Sequence, residues 1–358
     1  MRAGIVNLMV LALGISGNAI GAEIGAYGQR AFNPSAGESF EIPVIADQAG
    51  TLKLEIRSPD RDVVRVLEER IEEDEVGQTV PITWDGRDLK GKIVPDEAYT
   101  PVLRMNGKVV NNPYEYSGGE VIERIEPDFS SHGKIGFQLE HPSRVLIRAG
   151  IEAGPLMRTL VNWQPRVSGK NIVHWDGYDE DGVINLRNNP DVRLLLTGYR
   201  LPEHSVITSG SDKEYLEWRS QYDWPDRMPD SSEVALERNG ERLSRHFFLA
   251  QSVEREPEVL VTVDGQPVEK GAIDVDGRFT ATVDLEQADQ WAMDQSQYEI
   301  AFFIDGEFVA EEEQGYVPFK WLWDADGLAP GKHTLTVNVS SFNGAVGVRT
   351  LELNVPDE

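Results

Sequence analysis

Two stretches of the chain, WDGRDLKG at 84–91 and WDGYDEDG at 175–182, share the pattern W-D-G-x-D-x-x-G. Carboxylates clustered beside glycines can hold a cation, supply an acid–base pair, or accept backbone amides in a tight turn. The turn account gives every residue a local task. Trp84 and Trp175 end alternating apolar runs and serve as core anchors. Asp85 and its counterpart Asp176 accept backbone N–H bonds, while Gly86 and Gly177 supply a positive φ.

The cation account is tested by spacing. A calcium loop of the EF-hand kind needs D-x-[DN]-x-[DN]-G. Aligned on Asp181-Gly182, the second copy has Asp179 in place, but Gly177 stands where the first ligand belongs. IDVDG and LWDADG fail likewise, with Ala272 and Leu322 at that position. A looser calcium loop from Asp176, Asp179, Asp181 and backbone carbonyls is the alternative. In the first copy, Arg87 and Lys90 interleave the acids and argue against it.

Catalytic signatures are absent. The chain has no G-x-S-x-G, no phosphate-binding G-x-x-x-x-G-K-[ST] and no H-E-x-x-H. Its six histidines are scattered without a ligand-like pair. A glycosidase needs two acids within about 10 Å, which any chain this acidic offers by chance. The expectation is a protein that is not an enzyme and carries no cofactor. A third stretch, EEEQGYVPFKWLWDADG at 311–327, gathers aromatics beside acids. Tyr316, Trp321 and Trp323 suit a sugar ring stacked on indole, or else one alternating set of them is core, which is the favoured account.

These residues must be positioned by strands. Alternating runs such as TLKLEIRS at 51–58 and HTLTVNVSSF at 333–342 recur between Gly, Asp, Asn and Pro, with few helical patterns. That predicts an all-β chain of tandem β-sandwiches rather than a parallel sheet. Asp264–Gly265 and Asp305–Gly306 sit between apolar runs as two-residue hairpin turns. Trp84 and Trp175 mark an internal repeat, so the expected modules span 30–125 and 126–210, with another at 256–358. Between them, 211–255 holds Tyr215, Trp218 and Tyr222 at helical spacing, as in a strap laid across neighbouring modules.

The ends and the composition set the compartment. Residues 1–22 open with one arginine, continue with an apolar run and end in small residues, the layout of a signal peptide cleaved after Gly21 or Ala22. That run is shorter than the roughly 20 residues of a membrane span, so no transmembrane anchor is expected. With no cysteine, disulfides, thiolate chemistry and cysteine-ligated zinc are excluded. A net charge of −27 excludes nucleic-acid and anionic-lipid partners, which require clustered positive charge.

The segments FNPSAGESFEIPV, LKLEIRSPDRDVVRVL and ITWDGRDLKGKIVPDEAYTPVLR resemble the immunoglobulin-like domain of the flagellar hook-capping protein family, and 126–210 looks like a divergent copy. Module 256–358 is similar in outline to immunoglobulin-like domains appended to bacterial surface proteins. The resemblance implies immunoglobulin-like sandwiches in series and use as an assembly piece. The resulting expectation is a non-catalytic scaffold or binding protein, exported to the periplasm or cell surface. Its partner would be another envelope or extracellular protein. The alternatives are polysaccharide binding through 311–327 and a secreted hydrolase.

Overall fold

The computed structural model describes residues 21–27, 30–111, 122–124, 128–130, 133–225, 237–238, 241–242, 255–268 and 271–357. Of the expected leader, only Gly21 and Ala22 fall among them. Three β-sandwiches follow one another, so the all-β tandem fold is the one observed.

The first sandwich uses β1 (Ala22–Ile24), β2 (Ala31–Phe32), β3 (Phe40–Ala46), β4 (Gly50–Arg57), β5 (Val63–Ile71), β6 (Thr79–Trp84), β7 (Ala98–Met105) and β8 (Lys108–Asn111). Along β3 and β4 the apolar residues alternate inward, as the period of two dictates. One sheet has the order β1-β3-β6. The other runs β7-β4-β5, with β8 hairpinned to the far side of β7. Trp84, Tyr99, Ile42, Leu52 and Leu54 share the core between them.

The second sandwich contains β9 (Ile122–Arg124), β10 (Asp128–Ser130), β11 (Lys134–Leu139), β12 (Ser143–Ile151), β13 (Leu156–Arg166), β14 (Gly169–His174) and β15 (Val192–Arg200). Its sheets are β10-β11-β14 and β13-β12-β15-β9, packed around Ile135, Val145, Met157 and Trp175. The chain then turns back. Strand β16 (Val206–Thr208) lies within the span expected for the second module, yet it pairs antiparallel with β7 and parallel with β2 of the first. Helix α1 (Tyr215–Arg219) follows and brings Tyr215 and Trp218 into the first core. A short hairpin, β17 (Glu237–Arg238) with β18 (Glu241–Arg242), precedes the last sandwich.

The third sandwich has β19 (Val259–Val263), β20 (Gln266–Pro267), β21 (Ala272–Asp274), β22 (Arg278–Leu285), α2 (Gln287–Ser296), β23 (Tyr298–Ile304), β24 (Glu307–Glu312), β25 (Phe319–Asp324), β26 (Gly331–Ser341) and β27 (Val346–Val355). Its sheets are β20-β19-β22-β25 and β21-β27-β26-β23-β24. Asp264–Gly265 and Asp305–Gly306 form the expected tight hairpins, both residues of each pair at positive φ. No helix among the described residues is long and apolar enough to cross a membrane.

Candidate functional site

The two W-D-G turns are built to one plan. Trp84 donates its indole N–H to Arg87 O at 3.1 Å, and Trp175 donates to Tyr178 O at 2.9 Å. Asp85 Oδ1 accepts Arg87 N–H at 3.1 Å, and Asp176 Oδ1 accepts Tyr178 N–H at 3.0 Å. Gly86 and Gly177 have φ of 69° and 82°. A side chain at Gly86 would also meet Pro34 Cβ at 2.4 Å. The second aspartate of each motif is fully buried and ties the turn to the next segment. Asp88 Oδ1 accepts the amides of Lys90 and Lys92, both at 2.9 Å. Asp179 Oδ1 accepts Ile184 N–H at 2.8 Å.

What covers the turns differs. Over the first lies the segment that α1 opens. Trp218 donates its indole N–H to Asp88 Oδ2 at 3.0 Å, and the Tyr222 hydroxyl donates to the same oxygen. Lys90 sits 4.1 Å from the Tyr222 ring centroid and donates to Gln221 O at 2.6 Å. Arg219, buried, pairs with Asp60 at 2.8 Å and Asp62 at 3.5 Å. Burial alone would raise the Asp88 carboxyl. The bonds from Tyr222, Trp218, Lys92 and Lys90 outweigh it and hold the group below its usual range.

Over the second turn lies the third sandwich. Asp181 accepts the Arg349 guanidinium and, at 2.6 Å, Thr350 N–H. Nearby, Arg148 Nη2 donates to Glu256 at 2.6 Å, and the Asn338 side chain makes two bonds with the backbone of Leu156. Burial pushes the carboxyls of both Asp181 and Glu180 up, with Asp179 adding to each. Asp179 Oδ2 is buried and has no hydrogen-bond partner among the described residues, whereas its counterpart on Asp88 has two donors.

The three carboxylates of the calcium alternative are therefore aimed at three different places. Asp176 pairs with Arg158 at 2.8 Å, Asp179 with the Ile184 amide, and Asp181 with the third sandwich. Among the described residues no group of three acids or histidines comes together as a metal site would need. The aromatic candidates also separate. Trp321 and Trp323 point inward, half-buried, with Trp321 stacked 4.5 Å from Phe302. Tyr316 is exposed.

Two features escaped sequence reasoning. The third sandwich has a reduced version of the same turn: Trp323 nears the end of β25, and Asp324 Oδ1 accepts Asp326 N–H at 3.1 Å. The signal was Trp-Asp at the end of an alternating run, hidden because Ala325 replaces the glycine. The second feature is the joint between the first two sandwiches, a buried pair of Glu97 and Arg144 at 2.6 Å, with Arg144 also donating to Trp163 O at 2.9 Å. Neither residue lies in a motif.

No family model and no curated protein matches the chain. Among solved structures it is similar to the fibronectin(III)-like modules of CbhA from Clostridium thermocellum, at 12% identity and a TM-score of 0.20, over 94% of both chains. A bacterial ice-binding adhesin of 1.5 MDa aligns at 12% identity and 0.19, over 92% of this chain and 95% of that one. The central fibronectin-III array of RIM-binding protein aligns at 9% and 0.18, over 96% and 99%. Superpositions this loose carry no functional argument. On its own sheets, the chain is a series of immunoglobulin-like β-sandwiches whose acidic turns are joints between parts of the molecule.

Proposed function

We propose that the protein is an exported, non-catalytic scaffold of the periplasm or cell surface, which holds an envelope or extracellular protein against its strand edges and end loops. The observation that carries this reading is the use made of the W-D-G turns. Both are engaged in holding neighbouring elements in place, the first by Trp218 and Tyr222, the second by Arg349 and Thr350. The first such turn closes the first sandwich on itself and the second holds two sandwiches together, which suits a part whose work is shape. The resemblance of 30–125 to the hook-capping immunoglobulin-like domain supports the same use. Polysaccharide binding is less well supported, because Trp321 stacks on Phe302, while Trp323 stacks on Trp321 and packs against Phe279 in a T-shaped contact.

Site-specific photo-crosslinking in the source cell tests the proposal, with the probe placed in turn at exposed Val66 on edge strand β5 and at Leu89 in the first turn. The expected result is one recurrent envelope-protein adduct. Binding to a glycan array that is lost in Trp321→Ala, with melting unchanged, would replace the proposal by the sugar-binding alternative. Turnover by the purified protein across a panel of ester, peptide and glycoside substrates would overturn it outright.

A further inference from the structure

Strand β25 ends its sheet, so one of its edges has no neighbour among the described residues. Residues along an antiparallel strand direct their backbone N–H and C=O alternately to one side and the other. Ala325 N–H donates to Gly277 O next to the β22–β25 ladder, which fixes the alternation. Phe319, Trp321 and Trp323 therefore bond toward β22, while Lys320, Leu322 and Asp324 aim their backbone groups at the open edge. Those three also carry the outward side chains. Leu322 is 62% exposed, the joint highest value for a large apolar residue among the described residues.

Protein edges are usually protected by proline, bulges or like charges. In the first sandwich, the corresponding edge strand β6 contains Pro81 opposite Pro43, which removes a donor from its rim. Edge strand β24 carries Glu307, Glu311 and Glu312 and no basic residue, so it repels a copy of itself. Strand β25 has no proline and no run of like charge; its two charged residues, Lys320 and Asp324, are of opposite sign. Its outward face reads Lys320, Leu322, Asp324, a sequence that is its own complement when reversed.

We propose that β25 pairs antiparallel with β25 of a second copy of this chain, about a two-fold axis at Leu322. Lys320 then lies opposite Asp324 of the other copy, and the reverse, while the two Leu322 side chains meet at the axis. In the same register the three outward-aimed residues of each strand fall opposite one another, so their backbone donors and acceptors match. A register centred on Trp321 would set Lys320 against Leu322 and lose both charge pairs. Asp324 keeps its 3.0 Å bond to Arg278 on Oδ2, and its Oδ1, which accepts Asp326 N–H at 3.1 Å, has a second lone pair for the incoming ammonium. Two four-stranded sheets become one continuous sheet.

Sedimentation equilibrium of the full chain tests the pairing. The wild-type protein is expected to show a concentration-dependent monomer–dimer equilibrium. K320D and D324K each place like charges opposite one another and should weaken it by roughly tenfold or more. An equimolar mixture of the two restores opposite charges across the axis, so heterodimer should form at near wild-type strength; misfolded variants would not recover on mixing. L322P removes an N–H that lies outside the β22 ladder and should give a monomer of unchanged melting temperature. A wild-type chain that stays monomeric at millimolar concentration overturns the inference. So does a dimer indifferent to K320D and L322P, or a mixture that fails to re-associate.

Discussion

The first and second W-D-G turns are the same turn put to different use. In the first, Asp88 is fully satisfied, by two backbone amides on one oxygen and by the Trp218 indole and Tyr222 hydroxyl on the other. In the second, Asp179 keeps one oxygen without a donor, and the neighbouring Asp181 reaches out to the third sandwich instead. A shared local motif fixes the shape of a bend. It does not fix what docks there, because the outward residue, Lys90 in one and Asp181 in the other, selects the partner by charge.

The comparison is sharpest under mutation. Trp218→Ala should destabilise the first sandwich by about 3–5 kcal/mol, the usual cost of emptying a buried indole site, as read by urea denaturation. Truncation also leaves Asp88 short of a donor. A destabilisation below about 1 kcal/mol would mean the helix is not part of that core. Asp88→Asn should cost about 2 kcal/mol, since an ionised acceptor of several hydrogen bonds is replaced. Asp179→Asn should cost less than about 1 kcal/mol, and equal losses at the two positions would erase the distinction drawn here. Arg349→Ala should speed hydrogen exchange at the Thr350 amide by about tenfold while leaving both adjoining cores protected.

Acidity should move the two turns in opposite directions. Asp88 lies below its ordinary 3.8 in the folded chain, so its contribution is present above that value and is lost as pH falls through the lowered one. Asp181 and Glu180 lie above their ordinary 3.8 and 4.5. Their contribution is full below those values and is lost as pH rises through the raised ones. Hydrogen exchange followed across pH 3–7, corrected for intrinsic rates, should show the first joint loosening in acid and the second loosening toward neutrality. Parallel trends would contradict the assignment.

Much of the architecture was legible because strand periodicity survives in single residues: Phe40, Ile42 and Val44 alternate inward as written. The two hairpin turns were legible for the same reason, since only a few residue pairs tolerate positive φ twice in succession. Helix α1 was foreshadowed by the spacing of Tyr215, Trp218 and Tyr222. Helix α2 was missed because Gln287–Ser296 is largely polar, with Asp289 and Met293 its only buried residues. The return of β16 to the first sandwich left no local mark, since Val206–Thr208 is an apolar run that would suit either neighbour. The joints were invisible for a deeper reason. Glu97 and Arg144 are 47 residues apart, and nothing in either neighbourhood announces the other.

The return of β16 and α1 makes the first sandwich discontinuous, with the second threaded between its halves. A chain synthesised from its N-terminus must therefore leave residues 22–111 without the Trp218 cover until the second sandwich has emerged. The unfinished edge of β7 and the naked core beneath Trp84 are then the surfaces a chaperone would meet first. The third sandwich, continuous in sequence, faces no such wait.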